Sequence, residues 1–454
     1  MGCSSSKETP VSDAKADART AASVAPTKAA ASSDRHEKTF IEKKTTEVTD
    51  SIGVSNTTSH TVIEAIHGET SMTESTKTTV GEAGMVLGKF RLRYACVSRR
   101  GRDPDDTSKA NQDSYSVHCK FAETSTDSFF GVYDGHGPKG DQCSQFVQQR
   151  LPSLFAQKIS EHDEFVLATK HIHTSLHEAH TQCNDEIHES VHIDDSVSGT
   201  TSITLYVEGE AGRITMSNVG DSRAILGTQT HHKMQAVPLS KDHTPYRADE
   251  AERCKRSGAR ILSFGEISGN VDPDDDSEDP PRVWAMTGKY PGTAFTRSIG
   301  DSRADQLGVI AEPEMLTLKI SENEKIIVLA SDGIFDVLSN QQVIDICFQH
   351  YGNDPIHACM AVIEKSHEEW LKNEECIGNE ASASFDDMTI ACIFIGEGED
   401  VKDNGSRQQK DGIASSMADS ALASVGESTG EAQPKRKRTR QKTLRNLEEG
   451  FGSG

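Results

Sequence analysis

Between about residues 88 and 398, apolar and polar residues alternate with the two-residue period of half-buried β-strands. The clearest case begins at Phe90, where Phe90, Leu92 and Tyr94 alternate with Arg91 and Arg93. Further strands are predicted at 129–133, 201–207, 213–219, 224–226, 325–330 and 389–395. The middle of the chain is therefore predicted to be rich in β-sheet.

Three segments between these strands have the features of helices. Residues 172–187 carry apolar residues at every third or fourth position, which predicts an amphipathic helix. Ser339 with Gln342 forms a capping-box pattern, and Asp354 with Pro355 is typical of the start of a helix that runs through residue 370. Because many strands follow one another without an intervening helix, the predicted fold class is α+β.

The composition changes on both sides of this middle part. Only 34% of the 454 residues are hydrophobic, which is low for a globular chain of this size. Residues 1–87 and 399–454 are rich in small and polar residues, and such segments bury too little apolar area to offset the entropy cost of ordering. We therefore expect one packed domain at 88–398, between a disordered N-terminal segment (1–87) and a disordered tail (399–454).

The net charge and the cysteines exclude several classes of protein. The formal charge is −23 at pH 7, so the surface is expected to repel nucleic acid and to attract cations. No run approaches eighteen consecutive apolar residues, and the first twenty residues lack the apolar core of a secretory signal. The ten cysteines form no CxxC pair, which argues against a thiolate zinc site and a disulfide scaffold and favours a reducing compartment.

Carboxylates stand at the ends of five predicted strands, several of them beside a glycine. They are Asp113, Asp134, Asp221, Asp332 with Asp336, and Asp386 with Asp387. A carboxylate beside a glycine can point at an ion while the bare backbone approaches it closely. One Asp-Gly pair is more often an ordinary turn, but five such groups together predict a metal site. Ligands that are all oxygen atoms favour Mg or Mn over Zn.

Seven short segments, in their order along the chain, carry a family resemblance. They are Asn-Gln-Asp at 111–113, Asp-Gly-His-Gly at 134–137, Ser-Gly-Thr-Thr at 198–201, Gly-Asp-Ser-Arg at 220–223, Phe-Thr-Arg-Ser-Ile-Gly-Asp at 295–301, Ser-Asp-Gly at 331–333 and Asp-Asp-Met-Thr at 386–389. Residues 88–398 thereby resemble protein phosphatase 2C, the PPM-type metal-dependent Ser/Thr phosphatases. The resemblance implies a central β-sandwich of two antiparallel sheets flanked by α-helix layers, with a two-metal centre at one end.

The resemblance also implies the ligands of the two metals. Asp134 would bridge both ions and thereby serve catalysis directly. The carbonyl of Gly135 would bind one ion, while Asp332 and Asp386 would hold the other. Asp113 would act through ordered water.

A third, weaker metal position is implied at Asp221, Asp332 and Asp336. Two divalent cations lower the pKa of a bridging water, which can then attack phosphorus as hydroxide. The leaving alkoxide of serine or threonine is very basic and needs a proton donor. His136, two residues after the bridging aspartate, would be that general acid. We therefore expect a phosphoserine/phosphothreonine phosphatase with Mg or Mn as cofactor.

The chain departs from the family pattern at two positions. Many members carry an acidic residue where this chain has Gln112, and a phosphate-binding Arg where it has Ser108. Lys109 or Arg102 must then hold the phosphate, and the sequence leaves both open. The neutral Gln112 is also the argument for the alternative function, a catalytically weak or inactive regulator that keeps the fold and binds phosphoproteins.

An EF-hand-like acidic run and a row of histidines resemble metal sites but have simpler explanations. Residues 272–283 begin like an EF-hand loop but lack the required glycine and the final glutamate, so we expect a solvated acidic insertion instead. It falls where the family carries a variable flap. His173, His177 and His180 share one helical face with spacing that suits zinc, yet we expect this face to be exposed to solvent rather than bound to metal.

The N-terminus matches the pattern for myristoylation, with Gly2 exposed once Met1 is removed and Ser6 in place. One acyl chain gives marginal membrane binding, and Cys3 offers a palmitoylation site as the second signal. We therefore expect a monomer at the cytoplasmic face of a membrane, acting on phosphoproteins. Residues 434–445 hold seven Lys or Arg and no acid, so a nuclear-import signal, a lipid-surface patch, a kinase docking site and a tail without function all stay open.

Overall fold

The computed structural model describes residues 76–81, 86–104, 106, 108–162, 167–230, 233–269, 279–373 and 383–397. The predicted acylation site, the start of the EF-hand-like insertion and the basic run at 434–445 lie outside these residues. Among the described helices, none combines the length and the apolar character needed to cross a membrane.

The described residues form strands and helices that are numbered here in chain order. The strands are β1 (Thr76–Gly81), β2 (Val86–Leu87), β3 (Phe90–Arg99), β4 (Asp113–Cys119), β5 (Ser128–His136), β6 (Gly199–Thr200), β7 (Ser202–Glu208), β8 (Arg213–Val219), β9 (Arg223–Thr230), β10 (Lys233–Pro238), β11 (Arg260–Leu262), β12 (Arg282–Trp284), β13 (Pro291–Thr293), β14 (Ile299–Gly300), β15 (Glu314–Lys319), β16 (Glu324–Ala330) and β17 (Met388–Glu397). The helices are α1 (Gly140–Ser160), α2 (Thr169–His188), α3 (Ala248–Arg256), α4 (Phe264–Ser268), α5 (Ser302–Asp305), α6 (Asp332–Phe335), α7 (Asn340–Gln349) and α8 (Pro355–Asn373).

The larger strands belong to two antiparallel sheets. One sheet has the order β1-β3-β17-β16-β9-β10, with β2 also paired to β3. The other has the order β14-β6-β5-β7-β8-β15, with β4 also paired to β5, and a small third sheet contains β11, β12 and β13. Each strand predicted from the alternation corresponds to an observed strand, with bounds that differ by a few residues.

Three apolar clusters divide the domain into four layers. The inner faces of the two large sheets meet in a core that includes Leu92, Leu205 and Ile393. The outer face of the first sheet packs against α6, α7 and α8, while that of the second packs against α1 and α2. Each sheet is therefore covered on both faces, which explains why the strands contain buried residues at successive positions. The predicted α+β sandwich with flanking helices is confirmed.

The helix predictions agree with the structure at their starts. The predicted helix at 172–187 lies within α2. Ser339 and Gln342 form the complete capping box that opens α7. The Oδ1 atom of Asp354 accepts a hydrogen bond from the amide of Ile356 at 3.1 Å, as expected for a residue that caps α8.

Helix α1 and strands β1 and β2 are among the parts of the fold that were not predicted. Helix α1 contains Pro152, which is unfavourable inside a helix, although Cys143, Val147 and Leu151 recur every fourth residue and provide the signal. Strands β1 and β2 lie before residue 88, where the predicted domain boundary falls, and both pair with β3. Backbone pairing along an existing edge orders these short segments, which their composition alone does not predict.

The histidine face of α2 is not exposed as expected. His180 is completely buried, with Nδ1 placed 2.8 Å from the carbonyl of Leu176 and Nε2 placed 3.2 Å from the hydroxyl of Ser202. Burial lowers the pKa of His180 to about 4, so the ring is neutral at pH 7. His173 contacts the hydroxyl of Thr317 at 2.8 Å. The rings of His173 and His180 pack between α2 and the second sheet, so the expectation of solvent exposure was wrong for these two residues.

The outer edge of the first sheet is covered at β10 by one side chain. Gln341 of α7 accepts a hydrogen bond from the amide of Ala236 at 3.0 Å. Its Nε2 donates to the carbonyl of Met234, also at 3.0 Å. The amide of Gln341 thereby bonds to β10 as a neighbouring strand would.

The layered core leads to a stability prediction. Leu205 has no exposed surface and lies between the two sheets, so we expect Leu205→Ala to lower the free energy of unfolding by about 2–5 kcal/mol. Leu316 is 37% exposed on the edge strand β15, and Leu316→Ala should cost less than about 1 kcal/mol. Urea unfolding followed by fluorescence measures both values. Equal losses for the two variants would contradict the sandwich core.

Candidate metal centre

Four strand ends bring the predicted metal ligands to one end of the sandwich. Asp113 and Asp134 lie directly opposite each other in the antiparallel pairing of β4 with β5. Asp332 is the first residue of α6, just after β16, and Asp386 comes just before β17. The side chains of Asp134 and Asp332 share a hydrogen bond, and the charges of Asp113 and Asp386 also act on Asp134. The structure therefore brings together four of the predicted ligands.

The backbone of Asp134 is fixed by the Ser-Gly-Thr-Thr segment. Its amide donates to Oγ1 of Thr201 at 3.0 Å, and its carbonyl accepts from the amide of Thr201 at 2.9 Å and from the hydroxyl of Thr200 at 3.0 Å. The hydroxyl of Thr201 also lies 2.7 Å from that of Ser222, in the Gly-Asp-Ser-Arg segment. Hydrogen bonds thus hold three of the seven segments in register around one carboxylate.

Gly135 occupies a space that admits no side chain. A Cβ atom there would lie 2.2 Å from the carbonyl oxygen of Gly140 and 2.5 Å from that of Gln112. Both are backbone atoms that cannot move aside cheaply. Position 135 therefore requires glycine, and only its backbone can supply a metal ligand.

The electrostatics of the buried aspartates call for a cation. Burial raises the pKa of Asp134 well above its usual value, and the charges of Asp332, Asp113 and Asp386 raise it further. Burial also raises the pKa of Asp113, with the charge of Asp387 as the next contribution. Several ionised carboxylates this close together are unfavourable unless positive charge is placed among them.

Asp113 provides a second sign that a cation fits here. Its Oδ2 atom accepts a hydrogen bond from the hydroxyl of Ser331 at 2.8 Å. Its Oδ1 atom is buried and meets no hydrogen-bond donor in the part of the chain that the structure describes. A buried carboxylate oxygen without a donor is costly. The atoms available as metal ligands are carboxylate and carbonyl oxygens, which fit a hard divalent cation such as Mg or Mn.

The adjacent residues Asp386 and Asp387 have different roles. Both carboxylate oxygens of Asp387 accept backbone hydrogen bonds, from Gly101 at 2.5 Å and from Gln112 at 2.8 Å. Asp387 therefore ties three chain segments together. Asp386 accepts a bond from the amide of Asp387 at 2.9 Å and contributes its charge to the cluster. The two aspartates form one predicted group at the start of a strand, but they have different hydrogen-bond partners in the structure.

Lys109 is a cation that the structure places among these acids. Burial alone would lower the pKa of its ammonium group, but the charges of Asp386 and Asp387 outweigh burial and raise that pKa. Arg102 forms two backbone hydrogen bonds with Phe385, at 2.8 and 3.0 Å, and so lies next to the strand end that carries Asp386. Which of the two residues holds phosphate stays a prediction.

The residues predicted for a third ion lie at the same end of the domain. The amide of Asp336 donates to the carbonyl of Asp332 at 2.8 Å, so the two side chains follow each other by one turn of helix. Asp221 is buried in the loop that follows β8. Its neighbour Ser222 contacts Thr201, beside the backbone of Asp134. The roles of Asp221 and Asp336 in metal binding stay predictions.

His136 is held by a residue to which the sequence analysis assigned no role. The Nε2 atom of His136 lies 2.5 Å from Oδ2 of Asp301, and the hydroxyl of Ser298 donates to the same oxygen at 2.6 Å. The imidazole is 19% exposed and packs against the ring of Phe295, with centroids 4.3 Å apart. Asp301, Ser298 and Phe295 all belong to the segment 295–301, so their presence in that segment was the available signal.

A second group of acids is explained by arginines rather than by a metal. Ligand atoms of Asp249, Glu250 and Glu314 lie within 4.8 Å of one another. Arg247 bonds to both Asp249 and Glu314 at 2.7 Å, and Arg297 bonds to Glu250 at 2.8 Å. Burial works to raise the pKa of Glu250, but hydrogen bonds from guanidinium groups lower it. This group is therefore already neutralised, in contrast to the aspartate cluster.

A four-layer sandwich with a buried cluster of oxygen ligands defines a class of metal-binding hydrolases, and comparison with known proteins identifies the family. The family model described as Protein phosphatase 2C matches residues 97–372. The chain therefore belongs to the protein phosphatase 2C family, whose members are serine/threonine protein phosphatases.

Two relatives and one solved structure illustrate the similarity. The chain is 41% identical over 314 residues to "Probable protein phosphatase 2C 35" of Arabidopsis thaliana, which covers 67% of this chain and 84% of that protein. It is 28% identical over 355 residues to "Probable protein phosphatase 2C 75" of Oryza sativa subsp. japonica, with coverage of 70% and 76%. The crystal structure of serine-threonine phosphatase 2C from Toxoplasma gondii shares the fold, with a TM-score of 0.55, 19% identity, and coverage of 70% of this chain and 99% of that chain.

The raised pKa of Asp134 gives a prediction that does not depend on catalysis. Its pKa is higher in the folded than in the unfolded state, so its ionisation opposes folding, and this cost grows as the pH rises through the folded-state pKa. In EDTA at pH 7.5, Asp134→Asn should therefore raise the melting temperature by about 2 °C. The difference should shrink at pH 5.5. Differential scanning fluorimetry measures both.

The control is Asp194→Asn, because hydrogen bonds from Ser196 lower the pKa of Asp194. This variant should be neutral or slightly less stable in EDTA. In excess Mn²⁺, wild type should have a higher melting temperature than Asp134→Asn, since wild type gains the free energy of cation binding. A lower melting temperature for Asp134→Asn in EDTA would contradict the electrostatic description of the site.

Proposed function

We propose that this chain hydrolyses phosphoserine and phosphothreonine in proteins, using water activated by two divalent cations, Mg or Mn. One observation carries the proposal: the carboxylates of Asp113, Asp134, Asp332 and Asp386 converge at one end of the sandwich, where burial and mutual repulsion raise the pKa values of Asp113 and Asp134. The cations, when bound, supply a water with a lowered pKa as the nucleophile. A weaker third position would use Asp221 and Asp336 with Asp332.

In this proposal the charged residues around the cluster divide the work. Asp134, Gly135, Asp332 and Asp386 would hold the cations, and Asp113 would support them through ordered water. Lys109 stays protonated because of its acidic neighbours and attracts the phosphate oxygens as a point charge.

The alkoxide of serine or threonine needs a proton as it leaves, and His136 is the proposed donor. Its backbone follows Asp134 by two residues, and its side chain is oriented by the contact with Asp301 and by the ring of Phe295. Because Nε2 is engaged by Asp301, we assign proton donation to Nδ1. Asp301 thus acts as a positioning residue rather than as a catalytic one.

The metal requirement is tested with an aryl phosphate and a phosphothreonine peptide. We expect turnover with Mn²⁺ or Mg²⁺ and none in excess EDTA, and Asp332→Ala should reduce turnover by at least about 100-fold, since it removes an implied ligand. Equal turnover in EDTA and in Mn²⁺ would refute the mechanism. The matched control is Asp345→Ala on the exposed face of α7, which should behave as wild type.

The role of His136 is tested by the dependence on the leaving group. An aryl alkoxide leaves readily without a proton, whereas the threonine alkoxide does not. His136→Ala should therefore lower turnover of the phosphopeptide by about 100-fold and of the aryl phosphate much less. Asp301→Asn should shift the ratio in the same direction by a smaller factor. Equal losses with both substrates would show that His136 is not the general acid.

A non-catalytic regulator that binds phosphoproteins is the alternative, and Gln112 is the feature that favours it. The same assays separate the two functions. A regulator would bind the phosphopeptide without turnover in Mn²⁺, and Asp332→Ala would change its binding rather than its rate.

We propose that the chain is anchored at the cytoplasmic face of a membrane by myristate on Gly2 and palmitate on Cys3. The pattern of residues 1–7 supports this proposal. Gly2→Ala should release the protein entirely into the soluble fraction, while Cys3→Ser should keep myristate and weaken retention, because a single acyl chain binds marginally. Cell fractionation with metabolic labelling by a myristate analogue measures both. Identical partitioning of wild type and Gly2→Ala would point instead to the basic run at 434–445, including a nuclear location.

A further inference from the structure

Gln112 sits at the centre of four hydrogen bonds beside the proposed metal centre. It is 8% exposed and immediately precedes β4. Its amide donates to Asp387 at 2.8 Å, and its carbonyl accepts from the hydroxyl of Ser144 at 2.5 Å and from the amide of Gly135 at 3.2 Å. Its side-chain Nε2 donates to the carbonyl of Gly137 at 2.7 Å. One residue therefore connects β17, α1 and the turn after β5.

Two of these bonds enclose His136. Gly135 precedes His136 and bonds to the backbone of Gln112, while Gly137 follows it and bonds to the side chain of Gln112. The backbone on both sides of the proposed proton donor is thus held by one residue. We propose, resting on the phosphatase function above, that Gln112 is a positioning residue that holds His136 in place for proton transfer.

The chemistry of this contact requires an amide. The partner atom at Gly137 is a carbonyl oxygen, which only accepts hydrogen bonds. A glutamine donates to it through Nε2, whereas an ionised glutamate has no proton to donate and would face the carbonyl with negative charge. An ionised acidic residue at position 112 could not make this bond. The neutral Gln112 therefore has a structural role that an ionised glutamate could not fill.

The packing around the side chain leaves little freedom for another arrangement. A Cβ at Gly140 would lie 2.7 Å from Nε2 of Gln112, so the amide rests against the start of α1. Gly137 has a φ of +80°, and a Cβ there would lie 2.2 Å from the carbonyl of Val197. The turn is thus in contact with both Val197 and Gln112. Removing the hydrogen bond from Gln112 to Gly137 should loosen the backbone next to His136.

The test compares two variants of similar size. Gln112→Met removes the donor without adding charge, and Gln112→Glu replaces the donor with a carboxylate. Gln148→Met is the matched control, because Gln148 makes the same kind of bond, at 2.6 Å to the carbonyl of Tyr115. All proteins are first compared by melting temperature. Amide hydrogen exchange by mass spectrometry is then measured on peptides covering residues 135–140, in EDTA.

We expect both Gln112 variants to increase exchange at residues 135–140 by roughly five- to tenfold, as for the loss of one net hydrogen bond, and Gln148→Met to leave it unchanged. In Mn²⁺, Gln112→Met should lose turnover of the phosphothreonine peptide more than turnover of the aryl phosphate, because proton donation is what becomes misplaced. A purely structural role would lower both equally and would overturn the proposal.

Calorimetric titration with Mn²⁺ distinguishes the opposing explanation, in which position 112 serves only the metal. In that case Gln112→Glu would bind Mn²⁺ more tightly and turn over faster, with exchange at 135–140 unchanged, and the inference would be wrong. The exchange result is independent of catalysis. If wild type shows no turnover while both variants loosen the turn, the proposed function fails and the positional role of Gln112 stands.

Discussion

The repulsion among buried carboxylates at one end of the sandwich is the constraint on which the site depends. Asp113, Asp134 and Asp386 are brought together by strands whose pairing follows from the packing of the apolar core, and not from interactions among the carboxylates themselves. The favourable energy of the sandwich therefore maintains an arrangement that is unfavourable by itself. Bound cations would relieve this repulsion, and the protein phosphatase 2C family to which the chain belongs is metal-dependent.

A set of neutral hydrogen bonds keeps the acids in position without neutralising them. Thr201 fixes the backbone of Asp134, Ser331 orients Asp113, and Asp387 joins two backbone amides near the start of β4. The Arg-rich network around Glu250 shows the opposite arrangement, in which guanidinium groups satisfy the acids completely. The difference between the two clusters lies in the partners that surround them rather than in the number of carboxylates.

Local patterns predict the parts of this protein that depend on local physics. Strand-like segments identify most strands of the two sheets, and aspartates at strand ends identify the carboxylates that cluster at one end of the sandwich, because a strand end fixes where a side chain can point. The pairing of Asp301 with His136 joins residues 165 positions apart, so no periodicity reveals it. The buried His180 contacts Ser202 across the helix–sheet interface, 22 residues further along the chain. The position of Lys109 beside Asp386 and Asp387 likewise depends on chain segments that are far apart in the sequence.

The bonds from Gln341 to the edge strand β10 have a consequence for how the protein fails under stress. Exposed strand edges recruit other chains, and here the vulnerable backbone of Met234 and Ala236 is occupied by a side chain of α7. That protection lasts only while α7 stays docked. Partial unfolding that detaches this helix would uncover a ready template for intermolecular β-pairing while most of the sandwich remains intact. Aggregation through this edge would then compete with refolding.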